Sequence, residues 1–157
     1  CGTFQADFNL PDRLEAEYIG EDGAKHKPVM MHRAILGSFE RFIGILIENY
    51  SGKLPLWLAP VQLSILTVTE EVNDYALSLK QKFEEINLRV ELDNRNEKIG
   101  YKIREHSNAK VPLMAVIGKD EMSAETISIR NLSKNATNTY IIKEAVSLLK
   151  KESEPPK

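Results

Sequence analysis

The 157 residues include 21 Lys and Arg, 23 Asp and Glu, one Cys and 42% hydrophobic residues, for a formal net charge of −2. These figures exclude a disordered chain, which combines low hydrophobicity with high net charge, and a disulfide scaffold, which one Cys cannot build. No stretch approaches the ~20 apolar residues of a membrane span and the N-terminus lacks the basic start and apolar core of a signal peptide, so a cytoplasmic chain that engages no membrane is expected.

In chain order, Phe4, Ala6, Phe8 and Leu10 recur at period two, and Leu14 to Ile19 forms a second apolar stretch. The turn Gly20-Glu21-Asp22-Gly23 then precedes the apolar run Pro28 to Met31. This predicts antiparallel strands with a hairpin. Ser38 stands as N-cap to a helix over Phe39 to Glu48, apolar around most of its circumference, which is the pattern of a buried helix. Charges in such a helix must be paired or face a cavity, so two readings of Glu40 and Arg41 stand open: a buried ion pair, or a guanidinium placed to bind phosphate or stack on a base. The helix runs out at Tyr50-Ser51-Gly52. Prolines at 55 and 60 then forbid a regular element, which marks 53–60 as a linker.

Beyond it the pattern alternates. Val61 to Val68 reads as a strand, and Glu70 to Asn87 as a helix with the stripe Val72, Ala76, Leu79, Phe83 and Ile86. Leu88 to Leu92 is a second strand, followed by a helix carrying Ile99, Ile103 and His106. Leu113 to Ile117 and Thr126 to Ile129 are further strands, and Tyr140 to Lys150 a final amphipathic helix. Residues 61–150 are therefore expected to form an α/β domain with crossover connections, followed by a frayed tail at 151–157. Residues 1–52 carry a net −3, 53–87 a net −2 and 88–150 a net +3, so the near-neutral total conceals a basic third part, where a polyanion is expected. The chain opens on Cys1 without an initiator Met, which reads as a cleaved chain or a fragment.

No Walker loop, Gly-x-Gly-x-x-Gly, nucleophile elbow or Cys-rich cluster is present. His32 is either a hydrogen-bonded interior histidine or a ligand, and a metal site needs at least three protein ligands. The run Asp93-Asn94-Arg95-Asn96-Glu97-Lys98-Ile99-Gly100-Tyr101-Lys102-Ile103-Arg104 falls at a strand end and helix start, where open α/β sheets bind ligands. There Asn, Glu and Arg can read unstacked base edges while Lys98, Lys102 and Arg104 pair with phosphates. The other reading is an ordinary helix start with solvated charges.

The stretch His32-Arg33-Ala34-Ile35-Leu36-Gly37-Ser38-Phe39-Glu40-Arg41-Phe42 resembles the third signature motif of class II aminoacyl-tRNA synthetases, in the form typical of the threonyl-tRNA synthetase family. The similarity extends through Cys1 to Phe8, Pro55 to Gln62, and Arg95-Asn96-Glu97-Lys98-Ile99-Gly100. It implies a mixed-sheet α/β anticodon-binding domain over 61–150, preceded over 1–52 by the end of the class II antiparallel catalytic sheet. It implies threonine–tRNA ligation through threonyl-adenylate, with ATP and Mg2+, in a homodimer that binds threonine tRNA and no DNA. Arg41 would take the catalytic ATP-binding role, with Cys1, Thr3, Gln5 and Ser38 lining the amino-acid and adenylate pocket. His32 would be one of three ligands of a Zn2+ that recognises the threonine amine and hydroxyl, and so rejects valine, an isostere that apolar pockets discriminate poorly. Asn96, Glu121 and Arg130 would read anticodon bases, and Lys98 and Arg104 would contact the RNA backbone. The other zinc ligands would lie upstream of Cys1, so this chain alone is expected to hold no stoichiometric zinc and to make no adenylate. A non-catalytic RNA-binding module of the same fold is the alternative, against which the presence of both His32 and Arg41 weighs. A small-molecule-binding α/β protein is disfavoured by the missing phosphate loop.

Overall fold

The computed structural model describes residues 2–156, which divide into two compact units, the first ending at Glu48 and the second beginning at Asn49. In the first, β1 (Thr3–Asp7) is followed by α1 (Asn9–Arg13), β2 (Tyr18–Ile19), β3 (Lys25–His26), β4 (Met30–Ala34) and α2 (Phe39–Asn49). β1 pairs antiparallel with β4, and β2 with β3, as the alternation and the turn at 20–23 lead one to expect. The period-two pattern nonetheless stops being a strand at Asp7. Its Oδ1 accepts the amide N–H groups of Asn9 and Leu10, each at 2.9 Å, and turns the chain into α1.

Ser38 caps α2 as expected: its Oγ accepts the Arg41 N–H at 3.2 Å. The expectation of a buried helix is corrected, because no residue of α2 is buried, and Glu40 and Arg41 are exposed. Only Phe42 and Leu46, four apart, are half-covered, since two-stranded ladders offer too little apolar surface to enclose a helix.

The second unit contains β5 (Leu63–Thr67), a 3₁₀ turn at Glu70–Val72, α3 (Asn73–Glu84), β6 (Val90–Asp93), α4 (Ile99–Asn108), β7 (Leu113–Ile117), α5 (Lys119–Ala124), β8 (Thr126–Asn131), β9 (Ala136–Ile141) and α6 (Ile142–Glu152). The sheet order is β6-β5-β7-β8-β9, with β6, β5 and β7 parallel and β8 and β9 antiparallel. Two crossover connections place α3 and α4 on opposite faces. Leu63, Ile65, Leu113, Ala115, Ile117, Ile127 and Ile129 point to the face covered by α3 and α6, where they meet Ala76, Leu79, Phe83, Ala145 and Leu149 in one core. Residues 53–60 run along this unit: Gln62 Nε2 donates to the Leu56 carbonyl, and the Arg89 guanidinium to those of Trp57 and Ala59.

Three elements differ from expectation. The strand read as Thr126 to Ile129 continues to Asn131. Residues 136–141 form a fifth strand where no strand is expected, because Thr, Asn and Thr on a largely exposed strand leave no apolar alternation to read; it takes Tyr140 and Ile141 from the helix expected over Tyr140 to Lys150, which runs Ile142–Glu152 instead. α5 is six residues long, too short to show a helical period. No helix of the described residues is long and apolar enough to cross a membrane.

Candidate nucleic-acid interface

The second unit's sheet is covered unequally. On the face opposite the core, α4 lies over β5 and β6, with Ser107 Oγ 3.8 Å from the Met114 sulfur at the border with β7. The same face of β8 and β9 carries Ser128, Arg130, Thr137 and Thr139, all partly or fully exposed. Ile127 and Ile129 alternate with these residues into the core, so the polar row is the outward half of a period-two strand.

At the upper end of this face Glu121, third residue of α5, accepts the Gly118 N–H on Oε2 and the Ser128 hydroxyl on Oε1, both at 2.9 Å. A carboxylate only accepts, so Ser128 donates to it and its own oxygen is left to accept from Thr139 Oγ1 at 3.0 Å. The relay runs Thr139 to Ser128 to Glu121, with a further lone pair left on each Glu121 oxygen and Thr139 exposed at its other end. Gly118 makes room for it, since a Cβ there would stand 3.2 Å from Glu121 Oε2. Arg130 lies two residues further along the face, with Nη2 3.3 Å from Asn135 Oδ1. Acceptors at one end and a guanidinium further along suit the edges of unstacked bases.

Asn96 sits in the β6–α4 loop, at the same end of the sheet as Glu121 because β6 and β7 are parallel to β5. It is exposed, at the apex of a three-residue turn in which the Glu97 N–H donates to the Arg95 carbonyl at 2.8 Å. Lys98 and Arg104 are exposed, and neither has a salt-bridge partner among the described residues. Lys102 is corrected: it is 1% exposed and its Nζ donates to the carbonyls of Thr67 and Asp93 at 2.9 and 3.1 Å, which ties the ends of β5 and β6 together. Helical spacing turns it under α4, away from any phosphate. Arg95 is likewise engaged, gripping both Asp93 oxygens at 2.9 and 2.7 Å and Glu105 at 2.6 Å.

Asp93 is the hub of this cluster. Arg95 chiefly, then His106 and the Arg95 amide, hold its carboxyl well below the usual carboxylate range against the opposing effect of burial; the same pairing pushes the Arg95 guanidinium up. His106 Nε2 donates to Asp93 Oδ2 at 3.1 Å, and its Nδ1 faces Ser64 Oγ at 3.0 Å. The Ser–His–Asp sequence is that of a hydrolytic triad, but Ser64 is fully buried on a central strand, so the arrangement is structural.

In the first unit Thr3, Gln5 and Asp7 share one face of β1, and His32 stands directly opposite Gln5 on β4. His32 Nε2 is 3.5 Å from Asp7 Oδ2, and both residues are accessible. Ser38 is spent on capping, and Arg41 extends from the exposed first turn of α2. Cys1 lies outside the described residues. His32 and Asp7 are two ligand-type side chains, and no group of three forms among the described residues, so this donor set does not fit a zinc site by itself. Sequence reasoning missed Asp7, Ser128, Thr139 and the Arg95 clamp. Period-two spacing from Gln5 and from Arg130 is the signal that could have found Asp7 and Ser128.

Residues 62–152, more than half of the chain, match the anticodon binding domain family. The chain belongs to the anticodon-binding domain family. Residues 1–50 match the tRNA synthetase class II core domain (G, H, P, S and T). Similar relatives include the threonine–tRNA ligase of Paracoccus denitrificans (strain Pd 1222), 55% identical over 99% of this chain, and that of Ehrlichia chaffeensis (strain ATCC CRL-10679 / Arkansas), 60% identical over 95%. The chain spans 24% of the length of each. Among solved structures, the RNA binding domain of threonyl-tRNA synthetase from Cryptosporidium parvum Iowa II superimposes with a TM-score of 0.78 at 31% identity, covering 99% of this chain and 40% of that one. The anticodon-binding domain is thus the second unit, with its mixed five-stranded sheet, and the first carries the antiparallel class II fragment.

Proposed function

We propose that this chain is part of a threonine–tRNA ligase and that its anticodon-binding domain reads the anticodon of threonine tRNA. The observation that carries this reading is the uncovered polar face of β8 and β9, with Glu121, Ser128 and Arg130 on it and Asn96 at the same end of the sheet as Glu121. Asn offers both a donor and an acceptor, Glu121 acceptors and Arg130 donors, a set that can tell base edges apart. Lys98 and Arg104, both exposed, add the electrostatic part of affinity through phosphates.

In the whole ligase ATP and threonine would react to give threonyl-adenylate and pyrophosphate, after which the threonyl group passes to the tRNA with release of AMP. Arg41 would offset triphosphate charge with Mg2+, and Thr3, Gln5 and Ser38 would line the pocket. The zinc would take His32 together with ligands from outside this chain. A homodimer, absence of DNA binding and a cytoplasmic setting belong to the same reading, as does a domain division of 1–52, 53–60 and 61–150.

The test is binding of threonine tRNA to the chain against transcripts with altered anticodon bases, across a salt series. Preference for the cognate anticodon is expected; equal affinity for all would leave only counterion release and overturn the reading. Metal analysis of the purified chain is expected to find well under one zinc per polypeptide, and one tightly held zinc would overturn that part.

A further inference from the structure

The guanidinium of Arg95 is half-exposed, beside the loop that carries Asn96, and at first sight suits a phosphate. Its geometry says otherwise. Nε and Nη2 bind Asp93 Oδ1 and Oδ2, Nη2 also reaches Glu105 Oε2, and the Arg95 amide donates to Asp93 Oδ1 at 3.2 Å. Asp93 is itself fixed at the end of β6: its side chain accepts from His106 and its carbonyl from Lys102, while Glu105 is on α4. One side chain therefore joins the strand before the loop to the helix after it. The Arg95 carbonyl then closes the three-residue turn whose apex is Asn96.

We infer that Arg95 is a positioning residue for anticodon readout: clamped by Asp93 and Glu105, it sets the turn that presents Asn96 and makes no RNA contact of its own. The inference rests on the proposed reading of the anticodon by Asn96. A loop free to rotate orders only to make the Asn96 contact, so its ordering cost falls on the cognate anticodon alone, while before an altered base it turns aside and leaves no polar group unpaired. A preformed turn gives the full Asn96 discrimination only to the matching base.

The experiment measures, in the full chain, the ratio of affinities for threonine tRNA and for a transcript altered at the base that Asn96→Ala ceases to distinguish. It covers wild type, Arg95→Ala, Arg95→Lys, Glu105→Gln, Asn96→Ala and Asn96→Ala combined with Arg95→Ala, each over a salt series. Arg95→Ala is expected to lower the ratio about tenfold, the effect of one good base contact, with no change in the salt slope. Arg95→Lys, which cannot bind two oxygens in a plane, should behave alike, and Glu105→Gln should fall between while keeping the Asp93 pair. In the Asn96→Ala background, Arg95→Ala should have no further effect on the ratio. A uniform loss of affinity with the salt slope lowered by about one would make Arg95 a phosphate ligand and overturn the inference. So would an unchanged ratio in Arg95→Lys and Glu105→Gln, two variants that retain the fold even if Arg95→Ala unfolds. A wild-type chain that binds every anticodon equally would instead overturn the functional reading beneath it.

Discussion

At Glu121, both carboxylate oxygens already hold a protein donor, yet each has a further lone pair, so the residue is fixed in place and still able to accept from a base. Ser128→Ala removes one of those anchors together with a hydroxyl of the outward face. It is expected to weaken cognate tRNA binding about threefold, and Arg130→Ala about tenfold or more, with circular dichroism unchanged in both. Filter-binding titrations at fixed salt would check this, and equal affinities would remove these residues from the interface. Asp93 predicts a pH effect. Its carboxyl is held lower in the folded than in the unfolded chain, so its contribution to stability is fully present above pH ~4 and is lost as the pH falls through the folded value. Trp57, the only tryptophan, lies in the second unit and reports its unfolding by fluorescence. Asp93→Asn should lower the neutral stability and flatten the acid limb of the curve; an acid limb unchanged from wild type would show that other carboxylates carry it.

The elements contrast sharply in how they are held. α3 turns Ala76, Leu79 and Phe83 into the core at 0% exposure, whereas α2 leaves Ile43 and Ile45 at 50% and 57%. Phe83→Ala is expected to cost about 3–5 kcal/mol in urea unfolding, while Ile43→Ser should stay within about 0.5 kcal/mol. α3 was legible because its stripe reports one-sided burial. The apolar circumference of α2 was equally clear, but periodicity reports which surface seeks cover and says nothing about whether cover is present. The parallel strands read well because Leu63 to Thr67 and Leu113 to Ile117 are buried on both faces. β9 did not, since a strand held by ladder hydrogen bonds and exposed Thr and Asn carries no hydrophobic signal. For the site, residue types in the 93–104 run indicated polar recognition, but not which cation faces solvent. That depends on where α4 begins: Lys98 stands before its first turn, and the two-residue offset between Lys102 and Arg104, roughly half a turn, buries one and leaves the other out. Lys102→Met should destabilise the domain by about 2–4 kcal/mol, by removing the side-chain donor to the Thr67 carbonyl and the shorter of two side-chain donors to the Asp93 carbonyl, and so weakening the cluster.

Over the whole molecule, the two units differ in the cover they give their apolar residues. Among the described residues, every buried hydrophobic side chain of the core belongs to the second unit and the first buries Pro11 alone, while Phe4, Phe8, Ile19, Met31, Ile35 and Phe39 of the first are each more than 60% exposed. Native-state hydrogen exchange should therefore show amides of 2–48 exchanging far faster than those of β5 and β7; matching protection in both would contradict this. The order of strands also sets a timetable. β5 is made first in its unit, is buried at all five positions, and pairs with strands that begin 27 and 50 residues later, with Leu63 opposite Val90 and Leu113. β8 and β9 close locally, through a four-residue turn from Asn131 to Ala136. At ~5–20 residues per second on the ribosome, the apolar ladder of β5 waits about 3–10 s for its second neighbour. Its exposure to aggregation during synthesis is thus governed by the combined length of α3, β6 and α4, and only secondarily by how fast the finished domain folds.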